Sequence, residues 1–374
     1  MKNVVIMKFP LASMMGGGER HTLSLVEELQ KRAFNFYLVS SCRVLLSEFK
    51  KRRWPYRRWW GGPEPVSVVR IFAWPFVAPF ACMSLWCILV YYRIAKKTTI
   101  LYCLSLPEKL LATVPARLLG MKVVWVEHVT MERWLTKNPL RFPYRWLSGC
   151  VTIVAVSQAI KNQLLEDIHI RARRVTVIYN GVDLRVYSLK ERRWDQSARF
   201  NIGCVARLEG EKGVEFLIQA VKIILEFIPF VRLIIVGDGS ERKKLVWLSE
   251  RLDLKEIIQW VGYQREVNKW YSYFDALVLP SVRRESFGMA LVEAMASGIP
   301  VVGTTLGGIP EIIDHRSTGL LCKPGDSQDL ADQLMYVFNH RSEVRDMTQR
   351  ARHKVETVFS LERMARDYYL LLRK

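Results

Sequence analysis

The amino-acid sequence predicts an α/β protein built as two doubly wound domains, each a parallel sheet covered by helices. Three observations carry this. Short β-rich runs alternate with amphipathic stretches along the chain. The 374 residues are enough for two cores at roughly 100–200 residues each. Half of the residues are apolar and a quarter are charged, which is a globular composition and not a disordered one.

The first series of expected strands is VVIM at 4–7, FYLVS at 36–40, TILYC at 99–103, VVWVEH at 123–128 and TIVAVS at 152–157. The second is RFNIGCVA at 199–206, RLIIVG at 232–237, IIQWVG at 257–262, ALVLPS at 276–281 and PVVGT at 300–304. The charged stretch 183–197 separates the two series and is the expected linker. The expected domains are therefore 1–183 and 184–357, with a last helix in 358–374 packing back on the first domain. No repeat or low-complexity tract competes with this division.

Charge divides the same way. Residues 1–200 hold 32 basic and 13 acidic side chains, and 201–374 hold 24 and 23. An excess of +19 against +1 suits one domain facing an anionic surface and another binding a small ligand, and it argues against a protein coated by nucleic acid. The seven cysteines (42, 82, 87, 103, 150, 204, 322) are odd in number and form no C-x-x-C pair, so reduced thiols and a cytoplasmic setting are expected. The N-terminal apolar run is too short for an export signal.

Residues 71–92 carry no charge and are bracketed by Arg70 and by Arg93, Lys96 and Lys97. Pro75 and Pro79 are expected to divide the segment, which favours a membrane-surface or partly embedded helix over a buried helix or a true span. Ahead of it, KKRRWPYRRWW at 50–60 interleaves basic and aromatic residues. That mixture suits the interface of an anionic bilayer, with single-stranded nucleic acid and a solvated loop as the alternatives.

Open α/β sheets bind ligands beyond the carboxyl ends of their strands. In 280–313 the chain turns after ALVLPS and starts a helix near Gly288. The amides from Phe287 through Gly288, Met289, Ala290 and Leu291 then form an anion site. LGGIPE at 306–311 starts a second helix toward the same space. Glu285 and Glu293 flank the site, and Arg207 and Lys212 follow the first strand of this half. Cations and amides suit a diphosphate, and carboxylates suit sugar hydroxyls, so the pattern points to a nucleotide sugar. No D-x-D occurs, and no metal or other cofactor is expected beyond that co-substrate.

The run ESFGMALVEAMASGIPVVGT, with VARLEGEKG, VGDGSERKKL, VGYQREV, VSQAIK and VIYNGVD, resembles the donor half of a family 4 glycosyltransferase (glycosyl transferase group 1) of the GT-B fold. The likeness covers about residues 150–374 and implies two Rossmann-like domains facing each other across a cleft. In the first half it rests on GGGERHTLSLVEEL and on His128 in WVEHVT. It implies that Gly17 and Gly18 approach the donor phosphates and acceptor, and that His128 lies by the transferred sugar. It also implies that the backbone at Gly262 and Tyr263 meets the base. Glu293 would bind ribose, and Glu285 would hold the sugar and serve with His128 in catalysis. Retention of anomeric configuration follows from the likeness, with front-face attack and a covalent intermediate both compatible. In GDGSER, Arg242 takes the place of the third glycine of a dinucleotide fingerprint, so an oxidoreductase is disfavoured.

The expected enzyme moves a sugar to a glycan or lipid-linked acceptor in surface polysaccharide or glycolipid synthesis. It is expected to be cytoplasmic and peripheral on the inner face of the cell membrane, in contact with anionic lipid and not with nucleic acid. The rivals are a soluble enzyme making a free or storage glycan, and a non-catalytic nucleotide-sugar-binding subunit.

Overall fold

The structure, a computed structural model, describes residues 2–9, 15–59, 68–128, 130, 133–136, 138–189 and 199–373. Trp60 and the part of the expected linker at 190–197 lie outside the described residues. The chain forms two compact units, Met1–Tyr179 with Met364–Lys374, and Asn180–Arg363.

The first unit holds a sheet of seven strands: β1 (Lys2–Lys8), β2 (Phe34–Ser40), β3 (Tyr56–Arg58), β4 (Thr98–Cys103), β5 (Lys122–Glu127), β6 (Thr152–Ala155) and β7 (Val175–Val177). All neighbouring pairs are parallel, in the order β3-β2-β1-β4-β5-β6-β7. Its helices are α1 (Gly17–Gln30), α2 (Arg43–Lys51), α3 (Val68–Ala95), α4 (Leu106–Leu118), α5 (Arg133–Thr136), α6 (Arg141–Ser148) and α7 (Gln158–Glu166). The central strands are buried on both faces, which is why they read as continuous apolar runs.

The second unit holds six parallel strands: β8 (Phe200–Val205), β9 (Val231–Val236), β10 (Ile258–Gly262), β11 (Ala276–Leu279), β12 (Val301–Thr304) and β13 (Leu320–Cys322). Their order is β10-β9-β8-β11-β12-β13. Around them lie α8 (Val214–Leu225), α9 (Arg242–Arg251), α10 (Met289–Ala296), α11 (Ile309–Ile312), α12 (Ser327–Asn339) and α13 (Arg341–Val358). α8 and α12 pack together, and their inner faces share one cluster with the sheet, including Leu217, Val221, Ile224, Leu330 and Leu334. Both units are thus Rossmann-like doubly wound sheets, the GT-B type of architecture that the sequence predicts.

The last helix, α14 (Leu361–Arg373), leaves the second unit and ends in the first. There Tyr368 is fully buried beside Tyr102, and Lys2 Nζ donates to the Leu372 carbonyl at 3.0 Å. Where the chain leaves the second unit, Val182 pairs with Ser360. Gly181 has no room for a side chain, because a Cβ would sit 2.7 Å from the Leu361 Cα.

Two expectations are corrected. Pro75 and Pro79 do not divide the apolar segment, because α3 runs unbroken for 28 residues. Proline fixes φ near the helical value and costs one intrahelical bond, and no Gly, Asn or Asp stands beside either proline to offer a turn. Packing supplies the rest, since Ala81, Leu85, Ile88, Leu89 and Tyr92 form a buried face, with α3 lying on α4. The stretch 50–60 is not a plain loop either. Lys50 and Lys51 end α2, and Tyr56–Arg58 form an exposed edge strand whose arginines discourage pairing with another sheet.

Candidate active site

In the second unit the strand order reverses between β8 and β11, and an open α/β sheet presents its ligand crevice at such a point. β8 continues into the loop Arg207–Gly213, and β11 continues into Pro280–Gly288. Gly213 adopts φ +61°, and a Cβ there would lie 2.2 Å from the Pro280 carbonyl oxygen, so only glycine lets the loops lie this close. The Val282 amide donates to the Glu211 carbonyl at 3.0 Å, which stitches them together.

This brings Lys212 and Glu285, 73 residues apart, into a pair, with Nζ 2.6 Å from Oε2. Both side chains are largely shielded from solvent. Ser281 Oγ donates to the same carboxylate oxygen at 3.2 Å, and the Ser281 carbonyl accepts from Thr304 Oγ1 at 2.8 Å. The Glu285 carbonyl accepts from the Gly308 amide at 2.8 Å, and Gly307 (φ +60°) would place a Cβ 2.1 Å from that carbonyl oxygen. The glycines of LGGIPE therefore serve to hold Glu285, and the second helix expected there, α11, is a single turn.

Gly288 (φ +109°) caps α10, as expected for the start of that helix. The Leu291 amide already donates to the Gly288 carbonyl at 3.0 Å, and its side chain is fully buried, which removes Leu291 from the anion-binding amides. Met289 and Ala290 precede that first intrahelical bond, so their amides lack an acceptor within the helix. The Phe287 ring is buried against Phe359 at 5.6 Å, so only its backbone can face a ligand.

Glu293 is only 4% exposed, and its Oε2 accepts from the Tyr271 hydroxyl at 2.7 Å. Tyr271 was invisible as a site residue in the sequence, since nothing in YSYF marks it. Arg207 is exposed and pairs with Glu211 Oε1 at 3.3 Å, an oxygen that also lies 4.0 Å from Lys212 Nζ, so Glu211 links it to the edge of the shielded pair. Gly262 ends β10 with φ +77°, its carbonyl accepts from the Gly237 amide at 2.9 Å, and Tyr263 beside it is exposed. The turn at 237–242 also touches the Arg207 loop, through the Leu208 amide on the Asp238 carbonyl at 3.0 Å. The loops at the carboxyl ends of β8, β9, β10 and β11 thus form one contiguous rim.

The first unit gathers a second group. Gly17 and Gly18 open α1, and a Cβ on Gly18 would touch the His128 ring at 3.5 Å. His128 follows β5, and its ring meets that of His21 edge-on at 4.6 Å. Beneath it, Lys109 Nζ contacts Glu127 Oε1 at 2.6 Å and donates to the Val126 carbonyl at 3.0 Å, while the Tyr144 hydroxyl donates to Glu127 at 2.5 Å. These buried groups fix the strand end that carries His128. The motif spacing gave no sign of them, because they come from three separate elements.

His128 keeps some accessible surface, but its Nε2 is buried. Burial, followed by the nearby His21, Lys8 and Lys109, holds its pKa well below the ordinary 6.5. The imidazole is therefore neutral at physiological pH and can offer a hydrogen bond without a charge. A histidine that binds its proton less readily when folded than when unfolded adds stability above 6.5, and that stability is lost as pH falls below 6.5 toward the folded pKa. His128→Gln is expected to flatten this acid limb in denaturant melts between pH 7 and pH 5. An unchanged limb would show that His128 is not the group responsible.

Comparison with known proteins places both halves. Residues 192–354 match the model for glycosyl transferases group 1, and residues 15–186 match that for glycosyltransferase family 4. The chain is 30% identical over 278 residues to the N-acetyl-alpha-D-glucosaminyl L-malate synthase of Bacillus anthracis, with 71% of each chain covered. It is 33% identical over 197 residues to the amylovoran biosynthesis glycosyltransferase AmsK of Erwinia amylovora, spanning about half of that protein (48%). Among solved structures, Anabaena HepE in complex with UDP shares the fold with a TM-score of 0.84 at 20% identity, over 100% of both chains. The chain is a glycosyltransferase and belongs to the glycosyl transferases group 1, with an N-terminal half of the family 4 type.

Proposed function

We propose that this glycosyltransferase takes its sugar from a nucleoside diphosphate sugar, retains the anomeric configuration, and delivers it to a lipid-linked or membrane-associated glycan. The observation that carries the reading is the shielded Lys212–Glu285 pair at the β8/β11 switch point. Lys212, with Arg207 and the amides of Met289 and Ala290, meets the diphosphate and stabilises the charge that grows on it as the anomeric C–O bond breaks. Glu285 holds the sugar hydroxyls. Glu293 receives the ribose while sharing its carboxylate with Tyr271, and the backbone at Gly262 and Tyr263 lies along the base. Neutral His128 orients the transferred sugar beside Gly17 and Gly18, and the acceptor hydroxyl gives its proton to the departing diphosphate oxygen as the new C–O bond forms. These cations and amides supply the counter-charge, so no metal is assigned a role.

UDP and UDP-glucose occur in crystal structures of Anabaena HepE, which supports the donor class, and the relative AmsK is named for amylovoran biosynthesis, which supports the setting. The basic first half supports a cytoplasmic enzyme at the inner membrane surface. A screen of UDP, GDP and ADP sugars by thermal shift and by hydrolysis, with and without EDTA, tests the proposal. One donor should raise Tm and be turned over in either condition, and NMR of the product should show the donor's anomer. Absence of binding and turnover with every donor would remove the reading.

A further inference from the structure

The crossovers that carry the chain from β3 to β4, β4 to β5 and β5 to β6 all step the same way along the first sheet. The right-handed rule therefore puts α3, α4 and α6 in one layer on one face. The contacts agree, with α3 on α4 and α4 on α6. The outer side of this layer is apolar. On α3, Phe76, Phe80, Met83, Cys87, Tyr91 and Ile94 recur every three or four residues, and the first three are 78, 80 and 67% exposed. Leu118 on α4 and Phe142 and Trp146 on α6 are exposed as well.

The exposed charge of α3, α4 and α6 has one sign. Arg117, Arg141 and Arg145 are exposed, and the three helices contain one acidic residue, Glu108, which is buried at the start of α4 with its carboxylate on the Leu104 amide. By contrast, two of the aromatics in the basic 50–60 stretch, Trp54 and Trp59, face the protein, while Tyr56 is exposed. Trp59 Nε1 donates to Ser84 Oγ of α3 at 2.6 Å, and Trp54 packs on Phe49 at 5.1 Å. The stretch offers cations, and the helical layer offers the apolar anchors.

We infer that α3, α4 and α6 seat the protein on an anionic bilayer, with α3 lying in the membrane plane and not across it. A 28-residue helix is long enough to span. Yet its opposite face, with Leu85 and Leu89 fully buried, is part of the first unit's core, and spanning would strip that face away. An in-plane helix keeps it and buries only the outer stripe, while arginines meet lipid phosphates. The inference rests on the membrane part of the proposed function and names the surface that performs it.

The test uses the full chain and vesicles of phosphatidylcholine with or without phosphatidylglycerol. Co-sedimentation should be at least about tenfold stronger with the anionic lipid and fall about tenfold in Phe80→Glu/Met83→Glu, and carbonate at high pH should release the bound protein. In the unaltered protein, anionic vesicles should slow alkylation of Cys87 by a water-soluble maleimide, read by peptide mass spectrometry. Unchanged Cys87 reactivity on bound vesicles would overturn the inference. So would carbonate-resistant binding, which marks a span, or a lipid-free dimer that protects Cys87, which marks a second copy as the occupant. The donor thermal shift is read alongside. A retained shift with no vesicle binding refutes the membrane surface alone, whereas a lost shift refutes the donor reading.

Discussion

Glu285→Ala is expected to lower kcat by about 10²–10³-fold while changing the affinity for the nucleoside diphosphate by no more than about threefold, as for removal of one fixed group from a reacting centre. The asymmetry follows from how the carboxylate is held. Gly308 fixes its backbone, and Lys212 and Ser281 fix one oxygen. The side chain is therefore set in position before any sugar arrives, and such a group acts on the transition state at little entropic cost. Its removal takes away the nearer carboxylate of Lys212 and leaves Glu211 at 4.0 Å, and the diphosphate is itself an anion and can take the vacated place. Steady-state rates and calorimetric titration with the nucleotide separate the two effects. Equal losses in both would make Glu285 a binding residue.

Lys212→Ala is expected to weaken the nucleoside diphosphate by about 10- to 100-fold, the range of a charge-assisted hydrogen bond in a shielded site. Arg207→Ala should cost about fivefold or less, because an exposed cation is screened by water and salt. Calorimetry at low and physiological salt distinguishes them, since the Arg207 effect should shrink with salt and the Lys212 effect should persist. The double variant Lys212→Ala/Glu285→Ala is the control for the carboxylate left unpaired by the single change. If Arg207→Ala and Lys212→Ala both leave nucleotide binding untouched, the diphosphate does not lie at the β8/β11 switch point.

The central strands of both sheets were legible because each is buried on both faces and so must be apolar throughout. The strands that went unseen, β3, β7 and β13, are all edge strands of three residues. An edge strand of that length has no long apolar run to betray it, and β3 is wholly exposed and carries two arginines. The unbroken α3 was misread for a related reason. Proline is a local signal against helix, whereas the packing that overrides it comes from α4, which lies beyond β4 in the chain.

The residue types of the site were legible from motif and spacing: Glu285, Lys212, Gly288 and His128 stand near a strand end or helix start that the pattern marks, and Glu293 lies inside the helix that follows Gly288. Sequence alone also determined the α/β class, the two series of strands and the charge excess of the first half, since all three follow from composition and local periodicity. Only the tertiary structure decided which of those residues meet. Lys212 pairs with Glu285 because β8 and β11 are neighbours in the sheet, and Arg207, five residues earlier, remains in solvent. It also spent Leu291's amide and the LGGIPE glycines on the chain's own backbone, gave Glu293 the Tyr271 hydroxyl, and placed Lys109, Glu127 and Tyr144 beneath His128. The reason is that these are contacts between segments far apart in the chain, and strand order, not any local preference of the residues, fixes which segments touch.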